Sequence, residues 1–193
     1  MSFYQLKITL EYSKPPIWRR FVVPADIELQ ELHEVVQIVM GWLSSHMHAF
    51  TIGHHSFMSS TEHDETDSED ETGIKLSSLI HAPKDWLRYE YDFGDGWEHK
   101  IELEKILDKS PSDNPVTCIK MVRACPPEDC GGVSGYEYLL TVLSNPQHPE
   151  YENVIDQVGE DFDPKEVDMA YVNKRLKELW DDIDHPQPNK WLQ

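Results

Sequence analysis

Asp92, Asp95 and His99 gather around Gly94 and Gly96, while Cys125, Glu128, Asp129 and Cys130 lead into Gly131-Gly132. Imidazole, carboxylate and thiolate are the side chains that ligate divalent metals. Asp92, Asp95, Trp97, His99, Glu128 and Asp129 therefore define a candidate polar site on two glycine-bearing turns. Zinc, manganese or magnesium is the cofactor such donors would take, and an ion there would activate a bound water. The same residues also suit plain turn hardware. Asp92 and Asp95 can bond turn amides, and His99, on the strand face of Trp97, Ile101 and Leu103, is satisfied equally by a carboxylate or a backbone carbonyl.

Further candidate metal ligands are His46 and His48, two apart on one strand face with Phe50 next along it and His54 and His55 nearby. Cys125 and Cys130 complete the set of ligands with His46, His48 and His99. Their spacing is wider than the Cys-x2-Cys of common zinc sites, and no second cysteine pair exists, so structural thiols in a Pro126-Pro127 loop are the competing reading. Trp18, Arg19 and Arg20 form the candidate partner-binding group, because an aromatic beside two guanidinium groups suits a phosphate or an acidic partner. Cross-strand carboxylates are the alternative use of those arginines. Asp92-Phe93-Gly94 matches a kinase magnesium motif, but no glycine-rich loop, His-Arg-Asp or Ala-Pro-Glu string accompanies it.

The elements that must hold these residues are legible in the spacing of apolar positions. Tyr4, Leu6, Ile8 and Leu10 alternate with polar residues and predict a strand; Ile17 to Val23, between Pro15-Pro16 and Pro24, predicts its partner. Leu29, Leu32, Val35, Val36, Val39, Met40 and Leu43 make a helical stripe that Gly41 would stop. His48 to Ile52 predicts a third strand, and Arg88 to Phe93 with Trp97 to Ile106 predicts a hairpin about Asp95-Gly96. Helices are expected from Ser134 to Leu143, from Pro149 to Val158 and after Asp163-Pro164. The result is an α+β fold: a mixed, mainly antiparallel sheet with a ββαβ, β-grasp-like start, a later β-hairpin, and C-terminal helices packed at one side. A single domain is expected over 1–184, with an acidic mobile loop at 59–72 and a flexible tail at 185–193.

The chain of 193 residues carries 36 acids against 17 Lys and Arg, a formal charge of −19. Such a balance repels nucleic-acid phosphates and anionic membranes, so gripping either would need a locally basic patch, and neither non-specific nucleic-acid binding nor a membrane surface is expected. No apolar run reaches the roughly 18 residues of a membrane helix, and three cysteines make no disulfide framework. The expected location is cytoplasmic, and the expected partner is a protein.

Several strings, taken in order, resemble one family: Lys14 to Arg20, Glu31 to Val36, Gly41-Trp42, His46 to Phe50, Tyr89 to His99 and Cys125 to Gly132. It is the plasmid pRi open-reading-frame-three-like family, also known as the insertion-element passenger TnpR family. The resemblance runs from about residue 4 to residue 176 and implies an α+β fold with an occasional link to mobile elements, but no established catalytic activity. No resolvase catalytic pattern is present, and the acidic balance fits poorly with a recombinase gripping DNA. The leading expectation is a non-catalytic interaction or accessory module. The alternative is a metal-dependent hydrolase or nucleic-acid-processing enzyme using Asp92, Asp95, His99, Glu128 and Asp129.

Overall fold

The computed structural model describes residues 2–59 and 67–184. The opening alternation becomes β1 (Phe3–Leu10), with Tyr4, Leu6, Ile8 and Leu10 all buried, and it pairs antiparallel with β2 (Trp18–Pro24). The helical stripe becomes α1 (Leu29–Met40), whose Leu29, Leu32, Val35, Val36 and Val39 are wholly buried against the sheet. Burial of each such side chain contributes about 1.5–3 kcal/mol. Glu28 and Glu31 form a capping box at its start, and Gly41 ends it in the left-handed region at φ 104°.

Next come β3 (His48–Ile52), β4 (His55–Met58), β5 (Glu69–Asp70), a 3-10 turn at Leu76–Ser78, β6 (Trp86–Tyr91), β7 (Trp97–Leu107) and β8 (Thr117–Val122). They form one sheet in the order β5-β4-β3-β6-β7-β1-β2-β8, antiparallel throughout except for β4 with β5. The ββαβ opening is present, with β6 and β7 inserted between β3 and β1. β6 and β7 pair as the expected hairpin, Tyr91 opposite Trp97, although the connection spans residues 92–96 and is not a two-residue Asp-Gly turn. β8 lies inside what reads in sequence as an irregular connection. Its pattern is weak because it is an edge strand, with only Cys118 fully buried.

That edge is blocked by α4 (Met169–Asp184). Asn173 accepts from the Cys118 N–H at 2.8 Å and donates to the Cys118 carbonyl at 2.9 Å, replacing a neighbouring strand. α2 (Gly132–Leu143) and α3 (Tyr151–Val158) pack on each other in the same C-terminal part. α2 begins at Gly132, two residues before the expected Ser134 cap, and Ser134 bonds back to the Gly131 carbonyl from within the helix. α4 starts later than Asp163-Pro164 suggests, because Asp168 accepts from Tyr171 N–H while Asp163 closes a separate turn. No helix among the described residues is long and apolar enough to cross a membrane.

The end of the acidic segment departs from the expected solvated loop. Glu69 and Asp70 pair with Phe57 and Met58, and Glu71 is buried at 2% exposure against His48. The middle of that segment, 60–66, and the tail, 185–193, lie outside the described residues.

Candidate metal centre

Three loops meet at the end of the β6–β7 hairpin. In the first, Asp92 takes the left-handed conformation at φ 54°, and its Oδ1 accepts from Gly94 N–H at 2.9 Å and Asp95 N–H at 3.3 Å. Asp tolerates that conformation better than most residues because its short carboxylate bonds locally. Oδ2 is left facing His46. The second loop, following α1, supplies His46 and is tied to the hairpin where Asp92 N–H donates to the Met47 carbonyl at 2.9 Å. The third, between β8 and α2, supplies Glu128 and Asp129, and its Gly131 N–H donates to Asp95 Oδ2 at 3.1 Å. The approach is close: a Cβ on Gly132 would stand 2.3 Å from the Asp95 carbonyl oxygen.

Here His46 Nε2 stands 3.4 Å from Asp129 Oδ1 and 3.9 Å from Asp92 Oδ2. One donor atom from each of His46, Asp92 and Asp129 lies within 4.8 Å of the others. Ligands about 2.1 Å from one ion are about 3–3.5 Å apart, so His46 and Asp129 stand at ligand spacing while Asp92 would have to move closer to close the set on a cation. Asp92 is 11% exposed and Asp129 77% exposed, leaving the centre anchored on one side and open on the other. Beneath it the His46 ring packs edge-on to Tyr91, whose hydroxyl donates to Glu128 Oε1 at 2.6 Å and accepts from Ser45 N–H at 3.0 Å. Glu128 also accepts from Leu43 N–H at 3.2 Å, which locks the second loop to the third.

Of the residues singled out in sequence, the fold brings together Asp92, Asp129 and His46, flanked by Asp95 and Glu128. His48 does not share an ion site with His46. Its Nε2 is bonded to Glu71 at 3.0 Å, and its ring stacks on His33 at 3.6 Å. His55 pairs with Glu69 at the surface.

His99 and Trp97 are wholly buried. His99 Nδ1 donates to the Tyr89 carbonyl at 3.3 Å, and desolvation pulls its pKa down to about 3, so the ring is neutral. It bonds none of Asp95, Glu128 and Asp129. Its Nε2 and Trp97 Nε1 are the buried side-chain nitrogens without a hydrogen-bond partner among the described residues. Trp42 adds a further link between the hairpin and the third loop: it packs on Tyr91, Trp97 and His99 and donates its indole N–H to the Pro126 carbonyl at 3.1 Å. Desolvation raises the thiols of Cys125 and Cys130, the latter to about 12, and neither joins the His46, Asp92 and Asp129 group.

Arg19 is 1% exposed and donates to the carbonyls of Val39 at 2.7 Å, Trp18 at 3.0 Å and Val122 at 3.0 Å. It fastens the α1 C-terminus to the sheet and is closed to a partner, unlike Trp18 and Arg20 on the opposite face.

Sequence reasoning passes over a buried ring of hydrogen bonds beside this centre. Ser44 N–H donates to Gln37 Oε1 at 2.9 Å, and Gln37 Nε2 donates to Tyr89 Oη at 2.8 Å. The Tyr89 hydroxyl then donates to His33 Nδ1 at 2.8 Å, and His33 Nε2–H donates to Ser44 Oγ at 2.7 Å. With Gln37 presenting a donor to Tyr89, the phenol proton goes to His33, so His33 gives Ser44 a proton and cannot act as its base. Burial and the neighbouring His48 lower the His33 pKa to about 3. The ring is structural. The sequence signal for it is the pair His33 and Gln37, one helical turn apart on a face otherwise apolar.

Comparisons with known proteins place this geometry on a shared scaffold. The profile of the plasmid pRiA4b ORF-3-like proteins matches residues 2–171. "Uncharacterized protein y4hQ" of Sinorhizobium fredii is 34% identical over 183 residues, covering 92% of each chain. The crystal structure of "Protein of Unknown Function MM3350" from Methanosarcina mazei Go1 superposes with a TM-score of 0.78 at 36% identity, covering 88% of this chain and 96% of that one. Both the profile and the identity extend over the hairpin and the loops that carry the centre, and the chain belongs to the plasmid pRiA4b ORF-3-like family.

Proposed function

We propose that the chain is an accessory module built around a divalent cation held by His46, Asp92 and Asp129. The observation that supports this is the convergence of one imidazole and two carboxylates from three separate loops. One of those carboxylates is pre-oriented by two amide bonds. The mixed nitrogen and oxygen donors suit zinc or manganese, and a rim of exposed apolar residues, Leu43, Met47 and Phe93, supports a protein partner at the same end. Isothermal titration of chelator-treated, untagged protein tests it. One ion per chain is expected, with binding at least about 10-fold weaker in Asp92→Asn and His46→Gln. Binding equal in wild type and variants, or none, would refute it and leave an ordinary His–Asp ion pair.

A second reading, a metal-dependent hydrolase, draws on the three-donor set, which leaves coordination positions open to water. Turnover of a chromogenic ester or phosphodiester that requires the added ion and fails in Asp92→Asn would favour it over the accessory role. Its nucleic-acid-processing form sits poorly with a charge of −19.

A further inference from the structure

Lys7, Arg20 and Lys120 lie directly opposite one another on β1, β2 and β8, on the face of the sheet away from α1. Like charges in register across strands destabilise a sheet, and this chain, with acids in twofold excess, had carboxylates to place there instead. All three cations crowd one indole: Lys7 Nζ is 5.0 Å, Arg20 Cζ 5.1 Å and Lys120 Nζ 5.5 Å from the centre of the Trp18 ring. Of the nearby carboxylates, one offsets Arg20 and the other is bonded outside the group, which leaves the two lysines. Glu104 is bound in two-pronged fashion by Arg20, at 2.5 and 2.7 Å, and also accepts from Gln5, while Glu102, beside Lys7, pairs with Lys100 at 2.5 Å. Lys7 and Lys120 have no ion-pair partner among the described residues. Beyond Arg20 a cavity of about 640 Å³ is lined by both signs of charge, with Lys84 and Lys105 beside Glu102 and Glu104.

We propose that this surface, Lys7, Trp18, Arg20 and Lys120, docks an acidic peptide segment of a partner protein. Carboxylates of the segment would sit between the lysines and relieve their repulsion, and its methylene groups would cover the indole. A short peptide fits better than a nucleic-acid strand. The patch is only three strands wide, and on the same face of β6 and β7 it gives way to Glu102, Glu98 and Glu90 interleaved with Lys100 and Arg88, so no unbroken positive track continues for a longer polyanion. The surface is separate from the His46 centre and needs no metal.

The test is fluorescence anisotropy of a dye-labelled octapeptide of Glu and Asp, run in EDTA so that failure of the metal site cannot affect it. Saturable binding is expected, weakening at least about 10-fold between about 50 and 300 mM salt. Lys7→Gln/Lys120→Gln should lose it while melting at the same or a higher temperature, since the repulsion is gone. Absence of binding by wild type, or unchanged binding in the double variant, would overturn the proposal. So would a labelled single-stranded oligonucleotide that binds more tightly than the peptide and is lost in the same variant, which would make the surface a nucleic-acid site.

Discussion

His48 donates to Glu71 across 3.0 Å with the two residues 6% and 2% exposed, so the last residue of the acidic run is held inside the protein. Removing one member of a buried pair strands the other without solvent. Glu71→Ala is expected to cost about 3–5 kcal/mol. Glu69→Ala, whose partner His55 is at the surface, is expected to cost less than about 1 kcal/mol. Urea denaturation of the two variants checks the contrast.

Arg19 and Arg20 are neighbours in sequence with opposite surroundings. Arg19→Met leaves the carbonyls of Val39, Trp18 and Val122 without their donor and is expected to destabilise by about 3 kcal/mol or more. Arg20→Met breaks a partly exposed bridge and should cost about 1 kcal/mol or less. Similar unfolding midpoints for the two variants would contradict this assignment.

Stability should fall with acid through His33 and His99. Both are held near pKa 3 in the folded protein, with 6.5 as the ordinary value, so from about pH 6.5 downward the unfolded chain takes up protons that the folded one refuses. The contribution is complete above that pH and is lost progressively toward pH 3, at about 1.4 kcal/mol per pH unit for each histidine. Unfolding free energies measured from pH 7.5 to 5 should show a slope that His99→Leu reduces by about that amount.

Gly132 is where the third loop passes the hairpin. Gly132→Ala introduces a Cβ at 2.3 Å from the Asp95 carbonyl oxygen, at a residue with φ 68°, so the loop carrying Asp129 must move away from Asp92. Cation binding by calorimetry is expected to weaken at least about 10-fold while the far-ultraviolet circular dichroism stays that of the parent. Unchanged affinity would show that the loop contact does not set the site.

Asn173→Ala uncovers the N–H and carbonyl of Cys118 on the β8 edge. A concentration-dependent dimer or aggregate is expected by light scattering, because an open strand edge is a template for another. A variant that stays monomeric at high concentration would argue that α4 shields the edge by bulk alone.

The elements legible in the sequence are those whose burial repeats at short range. Tyr4 to Leu10 and Trp97 to Leu103 alternate because one strand face meets the core, and Leu29 to Met40 repeats at helical spacing for the same reason, so these ranges and the α+β class could be read directly. β8 could not, since an edge strand buries too little to leave a pattern, and Glu71 reads as one more acid until His48 stands beside it. Residue types likewise marked Asp92, Asp129 and His46 as chemically able, but equally marked His99, Cys125 and Cys130. Only the tertiary structure separated them, by sealing His99 beneath Trp42 and leaving the thiols outside the group that three loops carry together. Local periodicity is dictated by neighbours along the chain, whereas solvent access and the meeting of distant loops depend on how the whole sheet and its helices pack.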